Sequence, residues 1–521
     1  MCRCHPAVTC SGCSHGFSRR GFLKQCGVAV AAGSLAPLAA RAAEGSGEAK
    51  PRVALVFLSN SEGREIWPYP GYDCPKRHEQ ILNALREGCP QVEFVPVVVA
   101  HAGEIQRAID LKDAVDGYLI YTLTLQWEFT APLVQLGKLG KPTLVADEYL
   151  GGSGVFLTGY AALRRQVASA AAVSSTRLED LVTVARVFAD VKHPDVTPAV
   201  FARRCEEAAR RTYAAATGSP CLKDNVALTE IGECLRRLKD SRFLIVGAGP
   251  AGQERDFLGA KGVYIGFEEL QALYEQADRD QAAEYAGRWT KEAEKVVEPT
   301  PEWLQKAGAV YLALRELMKK HGTDSVTANC LGGFASGQLP AYPCLGFMQI
   351  LDDGGQGVCE AMPDDSVSML MARILTGRPG YVSDPALDTS KNQIVYSHCM
   401  AMTKVFGSER ESCRFRIRTL HNRDPRGCCA QSFLPEGYMT TTFRTSIGRK
   451  QMVIHRAKAV GNLDSEFGCR TQLLGDVCGD IGKLFHQWDH FGWHRVTVYG
   501  DIQEPLSEFG RALGLEVIQE A

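Results

Sequence analysis

The chain has 521 residues, with 58 basic against 60 acidic side chains and a formal net charge of −2. That length exceeds what one hydrophobic core serves and points to several domains. The near-balance of charge excludes the basic excess of a nucleic-acid binder and the acidic tail of a solvating one; 45% hydrophobic residues and 51 glycines suit a globular α/β enzyme.

Residues 1–45 read as a targeting segment. Ser18-Arg19-Arg20-Gly21-Phe22-Leu23-Lys24 is a twin-arginine signature, followed by an apolar run and by Ala40-Arg41-Ala42, which puts cleavage before Ala43. The apolar run is short and holds Gly and Pro, so no membrane anchor is expected after cleavage. The expectation is export to a bacterial periplasm in the folded state, a route that lets a metal enzyme load its ion in the cytoplasm. Cys2, Cys4, Cys10 and Cys13 mimic a zinc cluster but leave with the leader. The cysteines beyond it have no CxxC spacing, and no disulfide pairing follows from them.

From Pro51 an α/β rhythm begins. Strand-like runs cover 53–59, 92–100, 117–123 and 142–148, with helix-like segments at 76–87, 103–111 and 128–137. Such alternation predicts a parallel sheet with helices on both faces, here an N-terminal α/β domain over 46–170. Trp127, just past a strand end, suits stacking on a sugar ring.

A second, Rossmann-like α/β domain is expected over 171–375. In it, RFLIVGAGPAG places Gly247, Gly249 and Gly252 after a strand, and Glu268 follows Gly247 by 21 residues, where a dinucleotide fold puts its ribose-binding acid. That spacing supports an alternative, an exported NAD(P)-dependent sugar oxidoreductase. Against it, only about two to three helical turns fit into QERDFLGAKG, and Pro250 removes one N–H from any phosphate cradle. The glycines are therefore read as a tight βα turn with no bound nucleotide. Charged helices over 275–320 lead to a strand at 324–330 ending near Asn329, then to a Gly- and Pro-rich loop read as a mobile wall.

The stretch Gln356–Gly407 carries three metal-ligand candidates: Glu360, Asp384 and His398. Carboxylates suit hard divalent cations, and Mn²⁺ and its neighbours tolerate imidazole. Between the acids, Val367, Leu370, Met371, Ile374 and Leu375 recur at helical spacing; the predicted helix stops at Thr376-Gly377, and a short strand Tyr381-Val382 follows. One acid is thus expected before a buried helix and the other at the end of the next strand. After Gly407 short strand-like runs separated by turns (413–421, 439–447, 450–460, 494–501) predict an antiparallel, β-barrel-like C-terminal domain over 376–521.

These segments resemble the catalytic half of the L-fucose isomerase and L-arabinose isomerase superfamily. In it a Glu before the helix and an acid after it bind Mn²⁺ and handle the substrate protons. The two stand 24 residues apart here, and the second is Asp, as in the fucose isomerase branch. His398 resembles a ligand of the arabinose branch, and GWHRVTVYGD offers His494 as the last ligand, with His486 and His490 nearby in sequence. The resemblance implies a metal-dependent aldose–ketose isomerase acting through an ene-diolate, with Glu360 and Asp384 catalytic, Glu360, Asp384, His494 and His398 on the metal, and Asn329 near the substrate. It also implies a small sugar as partner and a homo-oligomer. An epimerase or hydrolase on the same scaffold, or a non-catalytic sugar-binding protein, stays open as an alternative.

Overall fold

The computed structural model describes residues 49–521 apart from 61–66, 217, 219, 422, 425 and 489–490. The predicted leader, residues 1–45, lies outside the described residues, as does His490. Residues from Lys50 to the C-terminus form one compact unit. No described helix is long and apolar enough to cross a membrane.

The first sheet is parallel throughout. Its strands β1 (Arg52–Leu58), β2 (Glu93–Val99), β3 (Gly117–Thr122), β4 (Thr143–Asp147) and β5 (Ala170–Val173) lie in the order β2-β1-β3-β4-β5. Every residue of β3 and β4 is buried, as a sheet covered on both faces requires. Around β5 the chain forms the helices Ser153–Arg164, Leu178–Ala185 and Pro198–Arg210. The 170/171 division meets β5, whose pairing with β4 makes it part of this sheet.

A second sheet follows. It contains β6 (Arg242–Val246), β7 (Glu254–Phe257) and β8 (Ala260–Ile265) and, after the two-residue β9 (Lys295–Val296), β10 (Ser325–Ala328) and β11 (Gln356–Cys359). Their order is β11-β10-β6-β8-β7, parallel except for the edge strand β7. The expected short helix after Gly252 is absent: Glu254–Phe257 is β7, which turns back antiparallel on β8. Gly247, Gly249 and Gly252 have φ of +73°, +94° and +80°, and a Cβ on Gly247 would meet the Phe267 ring at 2.1 Å. These glycines therefore serve a tight turn and close packing. With no helix N-terminus to receive a pyrophosphate, and with Glu268 in the first turn of the helix Phe267–Gln276, the dinucleotide arrangement is not formed. The loop expected as a mobile wall contains the helix Cys330–Ala335.

The helix Pro363–Thr376 has Pro in its first turn, two acids at its N-terminus, and Gly377 beyond its end at φ +67°, where only glycine avoids strain. Val367, Leu370, Met371, Ile374 and Leu375 are all buried. The strand after it is longer than expected: β12 runs Tyr381–Asp388, so Asp384 lies within the strand and not at its end. Pro385 does not stop it, because pairing with the neighbouring strand ends at Ser383 and that edge needs no donor beyond there.

The C-terminal strands are β13 (Gln393–His398), β14 (Phe415–Arg418), β15 (Cys429–Ser432), β16 (Met439–Ser446), β17 (Gln451–Asn462), β18 (Thr471–Val477), β19 (Arg495–Tyr499) and β20 (Glu516–Gln519). A third sheet has the order β16-β19-β12-β13-β18-β17-β20, with β16 also paired to β17. All of these pairings are antiparallel except that of β20, which adds in parallel to β17. β9, β14 and β15 form a small separate sheet.

A candidate metal site at the meeting of three sheets

A cavity of about 320 Å³ opens where the sheets converge. Asn60 comes from beyond the C-terminal end of β1, and Leu125 and Trp127 from beyond β3. Strand order reverses between these two strands, the usual place for a crevice in an open parallel sheet. The second sheet contributes Leu331 and Glu360, again from beyond the ends of β10 and β11, and the third contributes Asp384, His398 and His494.

Strand register brings the polar groups together. β12 pairs with β19 through Ser383 and Arg495, so one further step sets Asp384 against His494. On the other side Asp384 stands opposite Ser397, beside His398. His494 Nε2 lies 3.3 Å from Asp384 Oδ1 and 3.4 Å from Glu360 Oε2. Ligand atoms of Glu360, His398 and His494 all fall within 4.8 Å of one another. Glu360 and Ala361 are held at φ +66° and +52°, a left-handed turn that costs non-glycine residues about 1–3 kcal/mol each and swings Glu360 off the end of β11 into the cavity.

Behind His494 stands a pair that sequence reading missed. Asp365, fully buried in the first turn of the helix, accepts from His494 Nδ1 at 2.6 Å and from Arg444 Nε at 2.5 Å. This contact fixes the ring and leaves Nε2 facing Glu360 and Asp384, as second-layer carboxylates do for ligating imidazoles. The only local hint was an acidic pair, Asp364-Asp365, at a helix start, which is indistinguishable from ordinary capping.

The electrostatics follow from this crowding. Burial pushes the Glu360 carboxyl above its ordinary range; the His494 charge pulls against it, and the Asp384 charge adds to it. Burial would lower His494, but the carboxylates of Asp365 and Glu360 raise it well above the usual imidazole value. Burial also opposes a charge on His398, which the sulfur of Cys399 and the carboxylate of Asp384 nonetheless carry up to about 9. Asp384 Oδ1 and His398 Nε2 are buried without a hydrogen-bond partner. An unpartnered carboxylate oxygen on Asp384, with Glu360 and the Nε2 of His494 facing it, is what a cation site presents, so the donor set fits a divalent metal.

Of the other predicted residues, Trp127 lines the cavity, 52% exposed, its ring 5.6 Å from that of Trp493. Asn329 does not line it. Its side chain caps the helix Cys330–Ala335 through Gly332 N–H and donates to Gly247 O at 3.2 Å. Trp493 and Trp67 complete an indole-rich wall, with the Trp67 ring tilted at 34° against His421, 4.0 Å between ring centres. Trp493 Nε1 donates to Pro385 O at 2.7 Å, which ties the wall to the strand that carries Asp384.

Parallel sheets joined to a largely antiparallel one, with carboxylates and imidazoles converging on an aromatic cavity, define a mixed α/β protein with a candidate metal site. Two curated proteins, each named sulfoquinovose isomerase, from Priestia aryabhattai and Priestia megaterium, are 24% identical to this chain over 296 residues. The match covers 54% of this chain and 65% of each relative, so the chain spans just under two thirds of their length. No protein-family profile matches the chain. A solved carbohydrate transporter from Acidothermus cellulolyticus in complex with myo-inositol aligns over 62% of this chain and 97% of its own, at 10% identity and a TM-score of 0.16, too low a likeness to bear on the fold.

Proposed function

We propose that this protein is a metal-dependent aldose–ketose isomerase acting on a small sugar. The observation that carries the reading is the convergence of Glu360, Asp384 and His494, with His398 beside them, on one cavity. The likeness to two sulfoquinovose isomerases supports it. The scaffold read with it is two Rossmann-like layers followed by a barrel-like third.

Glu360, Asp384 and His494 would hold the ion, and their oxygen and nitrogen donors suit Mn²⁺ among divalent metals. When bound, such a cation supplies the positive charge that polarises a sugar carbonyl and favours the ene-diolate. Glu360 is the proton carrier in this reading. Burial pushes its carboxyl above the ordinary range, and it keeps 32% of its side-chain surface open to the cavity, so it can take the proton at C2 and return it at C1. Asp384, with 9% of its side chain exposed, assists proton movement between O1 and O2. Asp365 holds the His494 ring so that Nε2 keeps its direction. The indoles of Trp67, Trp127 and Trp493 offer apolar faces to the sugar ring and exclude water from it.

The test is a screen of free aldoses in D₂O, with and without added Mn²⁺. Isomerisation through an ene-diolate incorporates solvent deuterium into the ketose at C1, and Glu360→Gln loses both turnover and exchange. Conversion of an aldose only when NAD(P) is added, without deuterium uptake, would sink the reading. A C2 epimer as sole product would move it to epimerisation. The same proposal includes periplasmic export by the twin-arginine route and a homo-oligomer, tested by cell fractionation and by light scattering on the mature protein.

A further inference from the structure

Behind the carboxylates lies a second cluster, built of sulfur. Cys359 ends β11 immediately before Glu360, and Cys399 follows His398 at the end of β13, so each strand end supplies one group to the cavity and a thiol beside it. Cys399 Sγ is 3.9 Å from Cys359 Sγ and 3.4 Å from His398 Nδ1. Ligand atoms of all three residues lie within 4.8 Å of one another. In a tetrahedral zinc site, with Zn–S of about 2.3 Å and Zn–N of about 2.0 Å, two thiolates stand about 3.8 Å apart and a thiolate and an imidazole nitrogen about 3.5 Å. The separations of 3.9 and 3.4 Å match those edges.

We propose that Cys359, Cys399 and the Nδ1 of His398 form a second metal site, for a soft or borderline ion such as Zn²⁺ or Cu⁺. Two thiolates and an imidazole select such ions, whereas Glu360, Asp384 and His494 offer the harder donors. Binding at this site displaces the protons of two thiols and of Nδ1, which leaves the remaining ring proton on Nε2, the atom that has no partner among the described groups. Neither cysteine is tied up in a disulfide. Cys399 lines the cavity, which gives the ion a path inward. The site goes beyond the isomerase reading and does not depend on it.

The experiment is a Co²⁺ titration of the full, reduced chain, followed by absorption spectroscopy. Thiolate ligands give an intense near-ultraviolet charge-transfer band that oxygen and nitrogen ligands do not. The wild-type protein should develop this band to saturation at one thiolate-bound cobalt per chain. Cys359→Ser and Cys399→Ser should each lose it, and Asp384→Asn should keep it. Absence of the band in the reduced wild type overturns the proposal without recourse to any variant. So does its persistence at full intensity in Cys399→Ser, or its loss in a folded Asp384→Asn, which would assign the thiolates to one shared site.

Discussion

Replacing Asp365 by Asn removes the one carboxylate that two buried cationic groups share. Arg444 Nε and His494 Nδ1 each donate to a separate oxygen of Asp365, and Asp365 and Arg444 are 0% and 4% exposed. An amide can accept from only one of them and turns its own N–H groups on the other. Removing one partner of a buried ion pair costs about 3–5 kcal/mol. The hydrogen bond that the amide retains offsets about 1 kcal/mol of this, for a net loss near 2–4 kcal/mol. Loss of the group that orients a ligating imidazole lowers metal affinity by about 10–100-fold, or about 1.4–2.7 kcal/mol. The first quantity is read from urea unfolding of metal-free protein and the second from competition with a fluorescent chelator. The substitution also changes the pH profile of the metal-free protein. Burial would raise Asp365, but Arg444 and His494 hold it down to about 2, so its stabilising contribution is complete above 3.8 and disappears as pH falls toward 2. His494 is raised, so its contribution is complete below 6.5 and is lost as pH climbs through its folded value. Asp365→Asn should flatten both limbs. Asp364→Asn is the control, since Asp364 Oδ1 accepts from Ile447 N and not from His494, and the change should leave metal affinity within about twofold. A folded Asp365→Asn protein that binds metal like wild type would refute the argument that Asp365 orients His494.

Three further expectations rest on other contacts. Because His494 must shed a proton before it can ligate, Mn²⁺ binding should tighten about tenfold per pH unit below the imidazole's folded value and release a proton, read by calorimetry in buffers of different ionisation enthalpy. Gly154→Ala would place a methyl 2.8 Å from the Trp493 ring and 2.8 Å from Leu125, which should cost about 1–3 kcal/mol and shift tryptophan fluorescence; unchanged stability and emission would contradict the packing. Deleting the last two residues should destabilise the protein by about 3–5 kcal/mol, since the buried Glu520 is the partner of the buried Arg495, at 3.0–3.1 Å; an unchanged urea midpoint would show that pair to be dispensable.

The sequence by itself determined what depends on neighbours along the chain. The β/α rhythm from Arg52 to Asp147, the helix from Pro363 with its apolar face, and its stop at Gly377 are local patterns written in periodicity and turn chemistry. The candidate ligands Glu360, Asp384, His398 and His494 were likewise legible as residue types in a recognisable order. Tertiary structure alone decided which distant groups meet. Asp365 finds His494 across 129 positions and Arg444 across 79, and nothing near any of the three in the chain signals the encounter. The glycines after β6 were legible as a tight turn, but the chain beyond them folds back as β7, an edge strand whose partner is chosen by the sheet and not by its own propensity. Asn329 was spent on capping a helix, and Cys359 and Cys399, 40 positions apart, became neighbours only when β11 and β13 ended side by side. The reason is physical. Periodicity encodes which face of an element is apolar, whereas contact between elements is fixed by register and packing, which the whole core settles together.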